Sequence, residues 1–356
     1  MLKIGITIGD FNGIGPEVII KALSDERFSA KFTPIIYGSS KVMAYHKNIV
    51  SDVELNFFNI TSAERSSKDK INVINCWDEN VNITLGKATE DGGKYAYIAL
   101  DRAVQDLKNG LIDALVTAPI NKEAMKMANF PYPGHTEFIE NALGGKSLMM
   151  MVSDDLRIGL VTNHLPIKDV VEKINKNTIL EKLFSFNNSL STDFGIDKPI
   201  IAVMGLNPHS GDNGTIGREE EEIIRPAIIE AKKSGILVTG PYSADGFFGG
   251  SMFKRVDGIL AMYHDQGLIP FKALTFGTGV NFTAGLNQVR TSPDHGTAYD
   301  LAGKNEADAG SMIAAIYKAM EIYAFRKEYV DLRKNSLKKK ERPMYTEEED
   351  EILEEA

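Results

Sequence analysis

The stretch DGILAMYHDQGLIPFK, residues 257–272, changes character half-way along. Its first seven residues, DGILAMY, are mostly apolar without alternation and read as a short strand covered on both faces. His264, Asp265 and Gln266 follow at once, then a glycine, a proline and Lys272. The switch recurs: RIGLVT (157–162) leads into His164, and PIIAVMG (199–205) into His209. Apolar runs of the same kind occur at KIGITI (3–8), TPIIYG (33–38), DALVTA (113–118) and LMMMV (148–152). Between the runs lie segments of helical period. GPEVIIKAL carries Pro16 near its start, GGKYAYIALDRAVQDLKNG stops at Gly110, and GREEEEIIRPAIIEAKKSG stops at Gly235. Strands alternating with helices predict an α/β fold with a largely parallel sheet.

The chain of 356 residues is long enough for two domains, and no Pro/Gly/Ser-rich linker divides it. A backbone that crosses between two domains more than once leaves a cleft between them, where small ligands bind. Apolar residues make up 43% and charged residues 25%, a soluble composition, and no apolar run is long enough to span a membrane. The N-terminus MLKIGITIGD is a strand pattern without the features of a secretion signal. A net charge of −9 argues against a nucleic-acid surface. The single cysteine, Cys76, excludes disulfides within the chain and suits a reducing cytoplasm. The basic run RKNSLKKKERP and the acidic run TEEEDEILEEA that follows it predict a solvated C-terminal tail.

Parallel strands present their carboxyl ends along one edge, and His164, His209 and His264 each follow a strand. Three imidazoles delivered there could share one metal ion and leave positions open for substrate. Any one of them alone would more readily satisfy a loop hydrogen bond; it is their recurrence in one setting that raises the metal reading to equal weight. Their spacing matches no compact structural zinc site. His46, in KVMAYHKNIV, reads as a surface helix residue without function. FPYPGHTEFIENAL puts His135 and Thr136 at a helix start, where backbone N–H groups and the dipole favour an anion. Thr136 could equally be a simple helix cap. Lys272, Asn281 and Arg290 add charge and donors in apolar or glycine-rich surroundings. The N-terminal GITIGDFNGIGPE suggests a nucleotide loop, but Val18 stands where a third glycine belongs and no phosphate-loop lysine is present.

GDFNGIGPE, TAPINK, GHTE, GLNPHSGDNG, YHDQGLIPFK, VNFTAG and RTSPDHGTAYDLAGK together resemble the 4-hydroxythreonine-4-phosphate dehydrogenase family of vitamin B6 biosynthesis, from about residue 3 to about residue 320. DHGTAYDLAGK is also similar to the HGSAPDIAGK segment of isocitrate and isopropylmalate dehydrogenases. That fold binds a nicotinamide cofactor without the glycine fingerprint. The resemblance implies two α/β/α domains with an intervening cleft, residues 1–130 plus 280–330 forming the first and 131–279 the second. Residues 331–356 would be the charged tail. It implies a divalent metal (zinc, magnesium or cobalt) on His164, His209 and His264. Substrate contacts would fall on His135, Thr136, Lys272, Asn281 and Arg290. Asp294, His295, Gly296 and Thr297 would bind NAD or NADP. Lys272 and Asp265 are the catalytic candidates, Asp265 either orienting an imidazole or accepting the proton. The implied reaction oxidises 4-phosphooxy-L-threonine at C3 and decarboxylates the product to 3-amino-2-oxopropyl phosphate, in a homodimer with shared active sites. DFNG replaces the DPAG of many members, and GPYSADGFFGG at a cofactor-side loop leaves NAD against NADP open. A relative acting on 4-phospho-D-threonate or 4-phospho-D-erythronate, a metal-dependent hydrolase and a non-catalytic phosphate binder are the competing readings.

Overall fold

A computed structural model describes residues 1–28, 31–51 and 53–334, and among these twelve strands form one sheet. They are β1 (Lys3–Thr7), β2 (Thr33–Gly38), β3 (Phe57–Ile60), β4 (Ile71–Asn75), β5 (Ala114–Thr117) and β6 (Gly145–Val152), then β7 (Arg157–Leu160), β8 (Ile200–Met204), β9 (Leu237–Tyr242), β10 (Gly258–Ala261), β11 (Val280–Leu286) and β12 (Val289–Pro293). The order across the sheet is β3-β4-β2-β1-β5-β12-β11-β6-β7-β10-β8-β9. Every neighbouring pair is parallel except β12–β11, β11–β6 and β6–β7. Two parallel wings therefore flank a short antiparallel centre. All seven strands expected from apolar runs form. The other five are β3, β4, β9, β11 and β12, and β11 and β12 carry polar residues in place of the apolar signal.

The helices are α1 (Gly15–Leu23), α2 (Ser40–Ile49), α3 (Glu90–Lys108), α4 (Lys122–Met127), α5 (His135–Leu143), α6 (Ile167–Lys173), α7 (Lys176–Thr192), α8 (Arg225–Lys233), α9 (Ala244–Gly249), α10 (His264–Leu274) and α11 (Gly310–Arg333). None is long and apolar enough to cross a membrane. α3 starts on a Thr89 cap whose hydroxyl accepts from Gly92 N at 3.0 Å, and beyond its end Gly110 turns at φ +70°. The helix expected over 217–235 is divided, a π turn over Glu220–Ile224 preceding α8, because Pro226 cannot donate to the ladder.

Strands covered on both faces explain the unbroken apolar runs. Along β8, Ile201 and Val203 join the main core while Ala202 and Met204 join a second cluster with Phe247, Leu268 and Phe271. Three expectations need correction. The polar triplet after DGILAMY is not a strand end: β10 stops at Ala261, and His264, Asp265 and Gln266 form the first turn of α10. Burial of Gly267, Leu268 and Phe271 holds that helix despite Pro270 inside it. His46 lies on α2 as expected but is fully buried, its Nε2 at 2.9 Å from the Phe11 carbonyl oxygen, and burial lowers its pKa to about 4. α11 runs through Arg333, so residues 331–333 of the expected tail are helical, and 335–356 lie outside the described residues.

Candidate active site

A cavity of about 520 Å³ lies over the antiparallel centre of the sheet. Register explains its floor. Asn281 pairs with Met151 on one side and Ser292 on the other, so these three side chains share a face. One step along, Met149 pairs with Thr283, beside Arg290. Met149, Met151, Asn281, Arg290 and Ser292 all line the cavity. Its walls come from the ends of β5, β7 and β12 and from the starts of α4, α5 and α10.

Arg290 is the most unusual group here. Only 2% exposed, it donates from Nε and one terminal nitrogen to Thr117 Oγ1 (3.1 and 2.6 Å) and from the other to Thr283 Oγ1 (3.0 Å). Among the described residues no carboxylate stands within ion-pair distance of it. Burial lowers its pKa to about 10, opposed only by the more distant Glu137, so it remains a cation at neutral pH. A buried, unpaired guanidinium is costly unless an anion completes it. His135 Nδ1 lies 3.4 Å from Arg290. Burial, and then the Arg290 charge, push its pKa well down, so the ring is neutral. With Nδ1 accepting, Nε2 carries the proton, and this buried atom has no partner among the described residues. Asn281 Oδ1 is likewise buried and unpartnered. α5 begins at His135 after Gly134, with no side-chain cap, so Thr136 is not the cap and the helix N–H groups are left for another acceptor. Lys272, exposed on α10, donates to the Asp294 carbonyl oxygen at 3.0 Å across the cavity mouth.

His164 and His264 stand at the adjacent parallel strands β7 and β10, with ring centroids 5.6 Å apart. Partial burial, then the nearby Lys122 and His264, lower the His164 pKa, which keeps it neutral and able to coordinate. His264 Nδ1 meets Asp265 Oδ1 at 2.7 Å, a carboxylate contact that fixes the ring and leaves Nε2 outward. Gln266 has a structural role: its Oε1 accepts from Met262 N (2.7 Å) and its Nε2 donates to Gly205 O (2.5 Å), clamping β10 to β8. His209 does not join the pair. It sits exposed on a turn, 208–214, where 209–213 are all left-handed (φ 43° to 79°), with Asp245 as its charged neighbour. Among the described residues no three His, Cys, Asp or Glu side chains form one metal-holding group. Glu220, only 1% exposed, braces that turn by accepting from the backbone N of Leu206 and Asn207, both at 2.7 Å. GPYSADGFFGG packs on the same turn, Ser210 Oγ donating to Pro241 O at 3.2 Å, and does not line the cavity.

Of the four residues assigned to a cofactor, Asp294, His295 and Gly296 line the cavity, and His295 Nε2 is buried without a partner. Thr297 does not: its carbonyl accepts from Ile14 N at 3.0 Å, and a Cβ on Gly13 would come within 2.6 Å of that oxygen. GDFNGIGPE is thus a packing loop, further tied by Tyr299 Oη donating to the buried Asp10 carboxylate at 2.6 Å. Lys122 and Glu137 also line the cavity. Motif reading passed over both, although TAPINK and GHTE contain them. A larger cavity of about 1050 Å³ lies along α11, but its buried cation, Lys318, is already met by Asp154 (3.2 Å) and Glu321 (2.6 Å).

Residues 30–319 match the family profile described as "Pyridoxal phosphate biosynthetic protein PdxA". The chain is 49% identical to a 4-hydroxythreonine-4-phosphate dehydrogenase of Bacteroides thetaiotaomicron over 340 residues, covering 95% of this chain and 93% of that one. It is 38% identical, over 90% of its length and 97% of the other, to an Oceanobacillus iheyensis protein provisionally named a D-threonate 4-phosphate dehydrogenase. The crystal structure of the Klebsiella pneumoniae 4-hydroxythreonine-4-phosphate dehydrogenase superposes with a TM-score of 0.79 at 34% identity, covering 90% of this chain and 98% of that one. With the fold, the length and the motifs in agreement, the chain belongs to the family of the pyridoxal phosphate biosynthetic protein PdxA, a family of dehydrogenases.

Proposed function

We propose that the chain oxidises the C3 hydroxyl of 4-phosphooxy-L-threonine with NAD or NADP and releases carbon dioxide to give 3-amino-2-oxopropyl phosphate, a step of pyridoxal 5′-phosphate formation. The observation that carries this reading is the buried, unpaired Arg290 cation opening into the same cavity as two adjacent imidazoles. Arg290, Lys272, the His135 Nε2–H, Thr136 and the open N-terminus of α5 bind the phosphate and carboxylate of the substrate. With both ends held, C3 is oriented toward the side of the cavity formed by Asp294, His295 and Gly296. Asn281 Oδ1, an acceptor without a partner, suits an amine or hydroxyl donor.

His164 and His264 fit a divalent metal by their donor set: two imidazoles, one kept neutral and one oriented by Asp265. A metal held by these residues would supply positive charge that stabilises a developing alkoxide on a substrate hydroxyl. The third imidazole is His209 of a second copy of this chain. The exposed left-handed turn presents it, and exposed apolar residues border the paired histidines, Ile167 at 69% and Ile269 at 66%. Such residues suit a surface that a partner covers. Residues 1–130 with 280–330, and residues 131–279, would then act as the two lobes of the cleft, in a cytoplasmic homodimer.

The test is turnover of 4-phosphooxy-L-threonine with NAD or NADP and with zinc, magnesium or cobalt, followed by nicotinamide reduction. Turnover without reduction would establish a hydrolase instead. Faster reduction on 4-phospho-D-threonate than on the amino substrate would move the chain to the sugar-acid branch.

A further inference from the structure

We propose that Thr117 and Thr283 are positioning residues that hold Arg290 as a cation without cancelling its charge, and thereby set the affinity of the site for a phosphate group. The inference rests on the anion-binding role given to Arg290 above.

Sheet order places β12 between β5 and β11, so Arg290 has a neighbouring strand on each side. On β5 it pairs with Leu115, and Thr117, two residues on, shares its face. On β11 the pair Phe282–Thr291 puts Thr283 next to Arg290. Both threonines are buried, at 0% and 1% exposure. Their hydroxyls take three of the guanidinium contacts, Thr117 two and Thr283 one, and His135 Nδ1 takes a fourth. A guanidinium has five N–H donors, so one stays free for a ligand.

The choice of hydroxyl matters. A carboxylate at either position would bind the guanidinium more strongly and neutralise it, leaving little attraction for an incoming anion. A hydroxyl accepts the hydrogen bond and adds no charge. Threonine is also stiff at χ1, so the acceptor is held in one place and the planar fork with it. The pair therefore does for the bare cation what a counter-ion does elsewhere, leaving the charge for the substrate.

The test uses the full-length protein with inorganic phosphate as the probe, measured by calorimetry, and substrate kinetics in parallel. Thr117→Val removes two bonds to a charged donor and should weaken phosphate on the order of 10- to 100-fold, Thr283→Val about 10-fold. Thr117→Ser, which keeps the hydroxyl, should recover affinity to within about threefold of wild type. KM should rise more than kcat falls in both valine variants, a split that general loss of stability would not produce. If Thr117→Val does not fold, Thr283→Val decides. Arg290→Lys is the control for the underlying reading. Should both valine variants bind phosphate as wild type does while Arg290→Lys loses it, the positioning role is wrong and the anion site stands. Should Arg290→Lys also bind normally, the anion-binding role of Arg290 falls, and this inference with it.

Discussion

Replacing Arg290 by methionine should cost the protein its phosphate binding without costing it stability. Burial brings the Arg290 pKa down to about 10 from an ordinary value above 12. At ~1.4 kcal/mol per tenfold, the buried charge is unfavourable by on the order of 3 kcal/mol. The sign follows from linkage. Below pH 10 the group is protonated in both folded and unfolded chains, so the penalty is fully present at neutral pH and is relieved only as pH rises through 10. Against it stand the bonds to Thr117 and Thr283, whose hydroxyls lose their donor in Arg290→Met at about 1 kcal/mol each. The charge outweighs the hydroxyls, and ligand-free stability should rise by about 1 kcal/mol. Adding Thr117→Val and Thr283→Val removes the stranded hydroxyls and should raise it further, by roughly 1–3 kcal/mol over wild type. The assay is urea denaturation without phosphate and again with phosphate at about 100 times its Kd. Wild type should gain about 2.7 kcal/mol from the ligand and the variants nothing. A ligand-free loss above about 2 kcal/mol in Arg290→Met, with the triple variant no more stable than wild type, would refute the reasoning. Arg290 would then be a structural residue.

Other outcomes follow from the same geometry. Asp265→Asn removes the carboxylate from His264 Nδ1 and should weaken zinc or cobalt binding about 10- to 100-fold by calorimetry, with the fold unchanged by circular dichroism. His209→Ala and His264→Ala should each be inactive alone, yet mixing and refolding them together should restore activity at one of the two sites of a mixed dimer. No recovery would place all three imidazoles in one chain. His46 is buried and neutral with a pKa of about 4, so between pH 6.5 and 4 the unfolded chain binds the proton that the folded chain refuses. Stability from this group is fully present above pH 6.5, and about 2 kcal/mol of it should be lost by pH 5. His46→Gln, with an amide that can still donate to the Phe11 carbonyl, should flatten that part of the curve in urea titrations at successive pH values.

Several elements were legible without coordinates because their signals are local. TPIIYG and GPEVIIKAL form the strand Thr33–Gly38 and the helix Gly15–Leu23 at the expected residues, since an unbroken apolar run and a helical period each reflect one element's own burial. Of the three strands that floor the cavity, only β6 was legible, from LMMMV. VNFTAGL and VRTSP break the apolar pattern with Asn281 and Arg290, which line the cavity, and with Thr283, which bonds to Arg290. Polar side chains facing the cavity remove the apolar signal that announces a strand. α10 was hidden for another reason: Pro270 reads as a helix stop, and only burial of Leu268 and Phe271 against the second apolar cluster outweighs it.

The sequence by itself determined the class of fold, the family and the roster of polar residues, because periodicity and motif order are properties of the chain. It left open what each polar residue does. Asp265 lies against His264, Gln266 clamps two strands, and Thr297 packs on the Gly13 loop, three roles that adjacent letters do not distinguish. Only the tertiary structure showed that Arg290 is buried without a counter-ion among the described residues. That property depends on what the sheet places beside it, from Thr117 far earlier in the chain to Thr283 on the neighbouring strand. The separation of His209 from His164 and His264 is of the same kind, a matter of how a left-handed turn aims one side chain. Burial and mutual distance are set by the packing of segments remote in sequence, and no local pattern encodes them.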